Sequence, residues 1–346
     1  MIGYTRGVFG DRVQRPLRVV QGAARLAVAL ATGGGFPFSA TFILTHRCNF
    51  QCAYCNIPAA AGREMTTEEF CRALDELKGA GLVRASFSGG EALLRSDAID
   101  IIKHARGLGL MTSLNSNAWM TGRHLDVLAE NLDLLVLSLD GPEPVHDLVR
   151  RRAGSYQRVI GVLEGARARG LATATITVLT RDNLHVMDEV LGLAERLGFY
   201  AYFQPAYEDC FDHGKGVDPA IEARVFGEIA DQLLKARREG RPIGASAGYV
   251  ERLKKGPVFG DCKNCSAGRF WGTVLPDGLV IPCHLQASSG EKFLNGLEVG
   301  FAAAFRGMRR AMTGPGCAIS PYQETDLIFS LDRAAIAAAM RRLVRA

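Results

Sequence analysis

Short apolar runs alternate with helix-period stretches from Ser39 onward, and this alternation constrains the chain's fold more than any other feature. The candidate strands are Ala40–Thr45, Val83–Ser88, Met111–Leu114, Leu134–Leu139, Ala172–Leu179 and Tyr200–Gln204. Between them Thr66–Lys78, Asp97–Leu108, Arg123–Glu130, Tyr156–Arg169 and Leu184–Leu197 repeat at helical period. Thr66 and Glu69 have the spacing of a capping box, which marks a helix start. Strands separated by helices build a parallel sheet with right-handed crossovers. Six such units predict an α/β fold, a partial (β/α)6 barrel rather than a closed eight-fold one. Active residues are then expected at the C-terminal ends of the strands.

The pattern changes after Pro205. Ala220–Arg238 reads as one more helix, followed by a cysteine-rich stretch. A hairpin is expected from Arg269–Leu275 and Leu279–Pro282, turning at Pro276-Asp277-Gly278, and a helical tail from Asp332 to Arg345. This divides the chain into a helical segment over 1–38, a core over 39–240 and a C-terminal region over 241–346. Within the first segment Leu17–Ala31 is apolar but broken by Arg18 and Arg25, and it is too short to span a bilayer. It reads as a helix packed on the domain. A second reading lays it at a membrane interface, with Arg12, Arg15 and Arg18 near lipid headgroups. Gly33-Gly34-Gly35 and Pro37 end it.

The net charge is +5, from 41 Lys and Arg against 36 Asp and Glu. That excess suits an anionic substrate or a membrane surface and is too small to indicate nucleic acid. The first twenty residues lack the apolar core and cleavage site of a signal peptide, so a cytoplasmic location is expected. Thiols stay reduced there, and nine cysteines point to metal binding rather than disulfides.

Three of them, Cys48, Cys52 and Cys55, follow the first strand directly. Thiolates are the preferred ligands of iron–sulfur cores, and three leave one iron of a 4Fe–4S cube without a protein ligand. A structural zinc site using these cysteines and His46 is the alternative. The CxxxCxxC spacing, with Tyr54 just before the last cysteine, resembles the radical S-adenosylmethionine (SAM) superfamily. The resemblance implies that SAM chelates the open iron and is reductively cleaved to a 5′-deoxyadenosyl radical. It also implies that Tyr54 lies near the adenine. Gly89, Gly90 and Glu91, ending the second strand, match the motif that holds the methionyl amine. Ser116-Asn117 stands where relatives often have Thr-Asn-Gly, with Ala118 replacing the glycine. Ser138, ending the fourth strand, is implied to contact SAM, and Arg150 to approach its carboxylate. Arg150 also reads as a solvated member of the run Arg150-Arg151-Arg152.

The second cysteine group is Cys262, Cys265, Cys283 and Cys317. From Cys265 onward it resembles the opening of a SPASM or twitch domain, which implies one auxiliary 4Fe–4S cluster with these four cysteines as candidate ligands; without Cys317, the three-cysteine arrangement resembles the substrate-binding cluster of the pyranopterin synthase. A zinc ribbon built with Cys283 and His284 is the alternative. Cys210, in the loop after the sixth strand, is a candidate proton or hydrogen-atom donor. His284 is a candidate proton acceptor, since an imidazole titrates near neutral pH.

The resulting expectation is a radical SAM oxidoreductase that oxidises or crosslinks a small molecule or a ribosomal peptide. The auxiliary cluster would accept the second electron, and a flavodoxin or ferredoxin would supply the first. The alternatives are a pyranopterin-synthase-like cyclisation, modification of a lipid or tetrapyrrole, and a non-catalytic iron–sulfur or zinc-binding module.

Overall fold

The computed structural model describes residues 25, 26, 28, 29, 31–55, 57, 62–206, 221, 222, 224–256, 265–283, 292–308, 317, 319–333, 335 and 336. Cys210, Cys262, His284, Arg12, Arg15, Arg18 and the tail beyond residue 336 lie outside them.

The six strands of the core are β1 (Ser39–Ile43), β2 (Arg84–Ser88), β3 (Met111–Ser116), β4 (Leu134–Ser138), β5 (Thr173–Leu179) and β6 (Tyr200–Pro205). The helices between and after them are α1 (Thr67–Ala80), α2 (Ala98–Gly107), α3 (Leu125–Asn131), α4 (Glu143–Arg150), α5 (Ser155–Ala168), α6 (Met187–Leu197) and α7 (Val225–Arg238). Thr66 and Glu69 form the expected reciprocal cap of α1, each side chain accepting from the other's backbone N–H. The described part of the N-terminal helix ends at Gly33, whose φ of 66° suits a residue without a Cβ.

Every adjacent pair from β1 to β6 is parallel, and sequence neighbours are sheet neighbours. Strand alternation then assigns the faces. Ala40, Phe42, Ala85, Phe87, Leu114, Leu135 and Leu137 are buried in one core with Phe70, Leu74 and Leu77 of α1 and Ile101 and Ile102 of α2. Phe42, Phe70 and Phe87 are sealed from solvent. Burying one such side chain is worth about 2–3 kcal/mol. The opposite, inner face carries Thr41, Ser86, Ser88, Ser113, Asn115 and Ser138 together with the apolar Ile43, Met111, Leu134 and Val136, so it is mixed.

The C-terminal region builds onto this sheet. Here α8 (Ala247–Leu253) is followed by the hairpin β7 (Trp271–Val274) and β8 (Val280–Ile281), then α9 (Gly296–Val299), α10 (Phe301–Gly307) and α11 (Ser320–Phe329). β7 pairs parallel with β1, and β8 antiparallel with β7, so the sheet runs β6-β5-β4-β3-β2-β1-β7-β8 and is open at both ends. Trp271 of β7 stacks on Tyr322 of α11, with centroids 4.7 Å apart. Helix α11 escapes the sequence reading because its buried face includes Gln323, Glu324 and Asp326, which blur the apolar period.

Candidate active site

The loop after β1 carries Cys48, Cys52 and Cys55, and its root is held by the loop after β2. Leu44 N–H donates to Ser88 O at 2.9 Å, Gly90 N–H to Thr45 O at 2.9 Å, and Glu91 N–H to Arg47 O at 2.9 Å. A Cβ on Gly89 would collide with the Thr45 carbonyl, and one on Gly90 with the Arg47 and His46 carbonyls. The two glycines therefore let the cysteine loop lie against the end of β2. That is a backbone role which spacing alone does not reveal.

Glu91 is buried beneath this junction. Its carboxylate accepts from Leu93 N–H at 3.2 Å, Asn117 N–H at 2.8 Å and the Ser116 hydroxyl at 3.1 Å. Burial raises its pKa, and the amides of Asn117 and Leu93 work against that rise. Ser116 also bonds the Thr121 hydroxyl at 2.8 Å, so it fixes Glu91 in place. Asn117 Nδ2 donates to Asn49 Oδ1 at 2.9 Å and faces Cys48 Sγ at 3.9 Å.

On the other side of the cysteines lies a network that the sequence reading missed. Asp140, fully buried after β4, accepts from the Tyr54 hydroxyl at 3.0 Å and from Val178 N–H at 2.9 Å. Arg150 Nε stands 2.6 Å from Asp140 Oδ2, and its Nη1 reaches Cys52 Sγ at 3.6 Å. The Arg150 guanidinium also lies over the Tyr54 ring, 5.4 Å from the centroid. Burial opposes the charge on Arg150, and Asp140 foremost overcomes it, so Arg150 is a buried partner and not a solvated residue. Asp140 N–H donates to His146 Nδ1 at 3.0 Å, and Asn183 Nδ2 donates to the Asp140 carbonyl at 2.9 Å. The one available sequence signal was the acidic residue in Ser138-Leu139-Asp140-Gly141, at a strand's C-terminal end. Ser138 itself is half-buried on the inner face, in register with Ile176.

The thiol environment fits a cationic inorganic core. Burial raises the pKa of Cys48, Cys52 and Cys55, the last to about 11, and each of the first and last also feels Cys52. Bare thiolates are disfavoured there, so ligated iron or a proton must balance their charge. The buried Asn49 Nδ2 has no partner, and a sulfide ion is an acceptor it suits. Among the described residues no three His, Cys, Asp or Glu side chains meet at the spacing of a single-ion site. A cube spreads its ligands over separate irons.

The second group is built at the far end of the strands. Cys265 precedes β7, Cys283 follows β8, and Cys317 precedes α11. Since β7 runs parallel to β1, Cys265 and Cys283 lie at the N-terminal edge of the sheet, whereas the first group lies at its C-terminal edge. The five residues of β1 alone span about 16 Å. Burial raises the pKa of Cys265, and Asp326, Cys317 and Cys283 add to it, so the three thiols share one electrostatic neighbourhood. Ala267 N–H donates to Cys265 Sγ at 3.5 Å, and Gln323 Nε2 to Cys317 Sγ at 3.8 Å.

An open α/β barrel with three thiols at the mouth of its first strand is the frame of an enzyme that carries an iron–sulfur cluster. The Radical SAM superfamily model matches residues 42–194. The chain is 31% identical over 261 residues to the PqqA peptide cyclase of Ruegeria pomeroyi, covering 72% of this chain and 68% of that protein. It is 29% identical over 274 residues to the PqqA peptide cyclase of Rhodopseudomonas palustris, with the same coverage. Two solved structures share the fold. Streptococcus suis SuiB bound to precursor peptide SuiA has a TM-score of 0.65 at 14% identity, covering 90% of this chain and 75% of that one. Native anSMEcpe with bound AdoMet has a TM-score of 0.61 at 16% identity, covering 88% and 99%. The chain belongs to the radical SAM superfamily. It is a radical SAM enzyme, and membership implies a 4Fe–4S cluster and SAM as its cofactors.

Proposed function

We propose that this enzyme oxidises or crosslinks a ribosomally made peptide, and that Cys262, Cys265, Cys283 and Cys317 hold an auxiliary 4Fe–4S cluster. The observation that carries this reading is the placement of two cysteine groups at opposite ends of the same strands, with the inner face of the sheet between them. The PqqA peptide cyclases and the peptide-bound SuiB supply the substrate class.

SAM bound at the reduced first cluster supplies a hydrogen-abstracting radical. Cys48, Cys52 and Cys55 hold that cluster, Glu91 faces the methionyl ammonium, and Gly89 and Gly90 admit the close approach. Tyr54, Ser116 and Ser138 border the cofactor, with Ser116 acting through Glu91. Arg150 sets the charge beside Cys52 and meets the cofactor carboxylate. The substrate loses one hydrogen atom to the radical, then a proton and an electron. His284 would take the proton, Cys210 stays a candidate proton or hydrogen-atom donor, and the auxiliary cluster held by the far-edge cysteines would accept the electron. A flavodoxin or ferredoxin reduces the first cluster. Exposed Arg152 over Trp119, whose ring meets Phe50 edge-on at 5.8 Å, offers an acidic partner a cationic landing beside the cysteine loop. No helix among the described residues is long and apolar enough to cross a membrane. Peripheral contact through Arg12, Arg15 and Arg18, and residence in the reducing cytoplasm, belong to the same proposal.

The test is anaerobic reconstitution, reduction and addition of SAM with the short peptide encoded nearest the gene. The expected products are 5′-deoxyadenosine, methionine and a peptide lighter by two hydrogen atoms. Iron-replete protein that never cleaves SAM rejects the enzymatic reading; cleavage with every such peptide left unchanged rejects the substrate class. A Cys265→Ala, Cys283→Ala variant should lose about four irons per chain.

A further inference from the structure

Buried charges in proteins are normally paired. Arg95 and Arg150 obey this, with Asp97 at 2.5 Å and Asp140 at 2.6 Å respectively. Arg84 does not. It opens β2 and alternates with Ala85 and Phe87 of the outer core, so its side chain lies on the inner face of the barrel. There Nη1 donates to the Ser39 hydroxyl at 3.4 Å and Nη2 to the Ser113 hydroxyl at 3.0 Å. Both partners are neutral. Among the described residues no carboxylate stands within ion-pair distance of it. The acidic groups near it are the Tyr202 phenol, neutral near pH 7, on β6 across the inner face, and the Asp133 carboxylate. Asp133 is already taken by Arg106 at 3.2 Å and by Thr112 N–H at 2.9 Å. Desolvation pulls the Arg84 pKa below its ordinary value, and Tyr202 and Asp133 only partly oppose it.

Neither cysteine group explains it. The first is served by Arg150, and the leading influence of a charge on Cys265 comes from Asp326. Arg84 starts the inner wall between the two groups, where the substrate must lie if radical and electron acceptor occupy opposite ends. A guanidinium has five N–H donors in a planar fork that matches a carboxylate, and two of these five are spent on serines.

We propose that Arg84 is a substrate-anchoring residue, binding a carboxylate of the peptide on the inner wall of the barrel. The carboxylate belongs to an acidic side chain or to a peptide C-terminus. The proposal deepens the peptide reading and rests on it for the identity of the ligand, but its test does not require turnover.

Ligand-detected NMR on the reconstituted, SAM-loaded enzyme would use three probes. N-acetyl-glutamate α-amide carries a side-chain carboxylate, N-acetyl-alanine a terminal one, and N-acetyl-glutamine amide none. Expected is binding of at least one carboxylate probe, about tenfold or more tighter than the neutral amide. Arg84→Gln should abolish that preference and Arg84→Lys restore part of it. Ser113→Asp places a carboxylate against Arg84, so it should block the probe while holding or raising the thermal midpoint. That variant keeps the test decisive if Arg84→Gln does not fold. Which carboxylate probe binds distinguishes side chain from C-terminus. Equal binding of charged and neutral probes, or undiminished binding by Ser113→Asp, overturns the proposal. A wild type that prefers carboxylates yet modifies no peptide would leave Arg84's role standing and remove the peptide reading instead.

Discussion

Replacing Asp140 with asparagine tests the network behind the cysteines with almost no change in shape. Asp140 and Arg150 are both buried, 2.6 Å apart, and the carboxylate's two oxygens face different donors. Oδ1 receives Val178 N–H, and Oδ2 receives the Tyr54 hydroxyl and faces Arg150. An asparagine amide must turn its NH2 toward one of these. In either orientation a donor meets a donor, and Arg150 loses its counter-charge. Breaking a buried pair by removing one partner costs roughly 3–5 kcal/mol. Arg150 keeps its contact with Cys52, which sets the expectation at the lower end, about 3 kcal/mol. That corresponds to roughly a hundredfold in the folding equilibrium. Anaerobic urea denaturation of reconstituted wild type, Asp140→Asn, Arg150→Met and the double variant, followed by circular dichroism, gives the comparison. The double variant removes both charges, so it should lose less than the sum of the singles by at least about 1 kcal/mol. An Asp140→Asn loss within about 0.5 kcal/mol of zero, or strict additivity, refutes the reasoning.

Three further outcomes follow from the same geometry. Gly90→Ala forces a Cβ onto the Arg47 and His46 carbonyls, so the cysteine loop must move; iron bound at the first site should fall well below that of wild type, as measured by iron analysis and electron paramagnetic resonance. Glu91→Gln should weaken SAM binding by roughly tenfold to a hundredfold, the worth of a charge-assisted hydrogen bond, and unchanged affinity by calorimetry removes Glu91 from the cofactor site. Burial lowers the His146 pKa to about 4, so between there and the ordinary value of 6.5 the unfolded chain binds more protons than the folded one. Stability should therefore be complete above the unfolded pKa and fall as pH drops through this window, by up to about 1.4 kcal/mol per unit. His146→Gln should flatten that slope in denaturation series between pH 7 and pH 4.

The local features were legible in the residues. Each depends on neighbours a few positions apart: the period-two and period-3.6 runs behind β1 to β6, α1 to α3 and α5 to α7, the cap at Thr66, and the cysteine spacing. The three cysteines proposed to hold the first cluster belong to this class, since one short loop carries all of them. Tertiary structure alone decided the rest, because the groups involved are far apart in sequence. Tyr54 finds Asp140 across 86 positions, and the inner wall sets Arg84 beside Ser113 across 29. β7 returns over more than two hundred residues to pair with β1, which puts the second cysteine group at the opposite edge of the sheet from the first. No periodicity encodes such meetings. They follow from strand order and from the alternation that sends every second side chain inward, and these exist only once the sheet has formed.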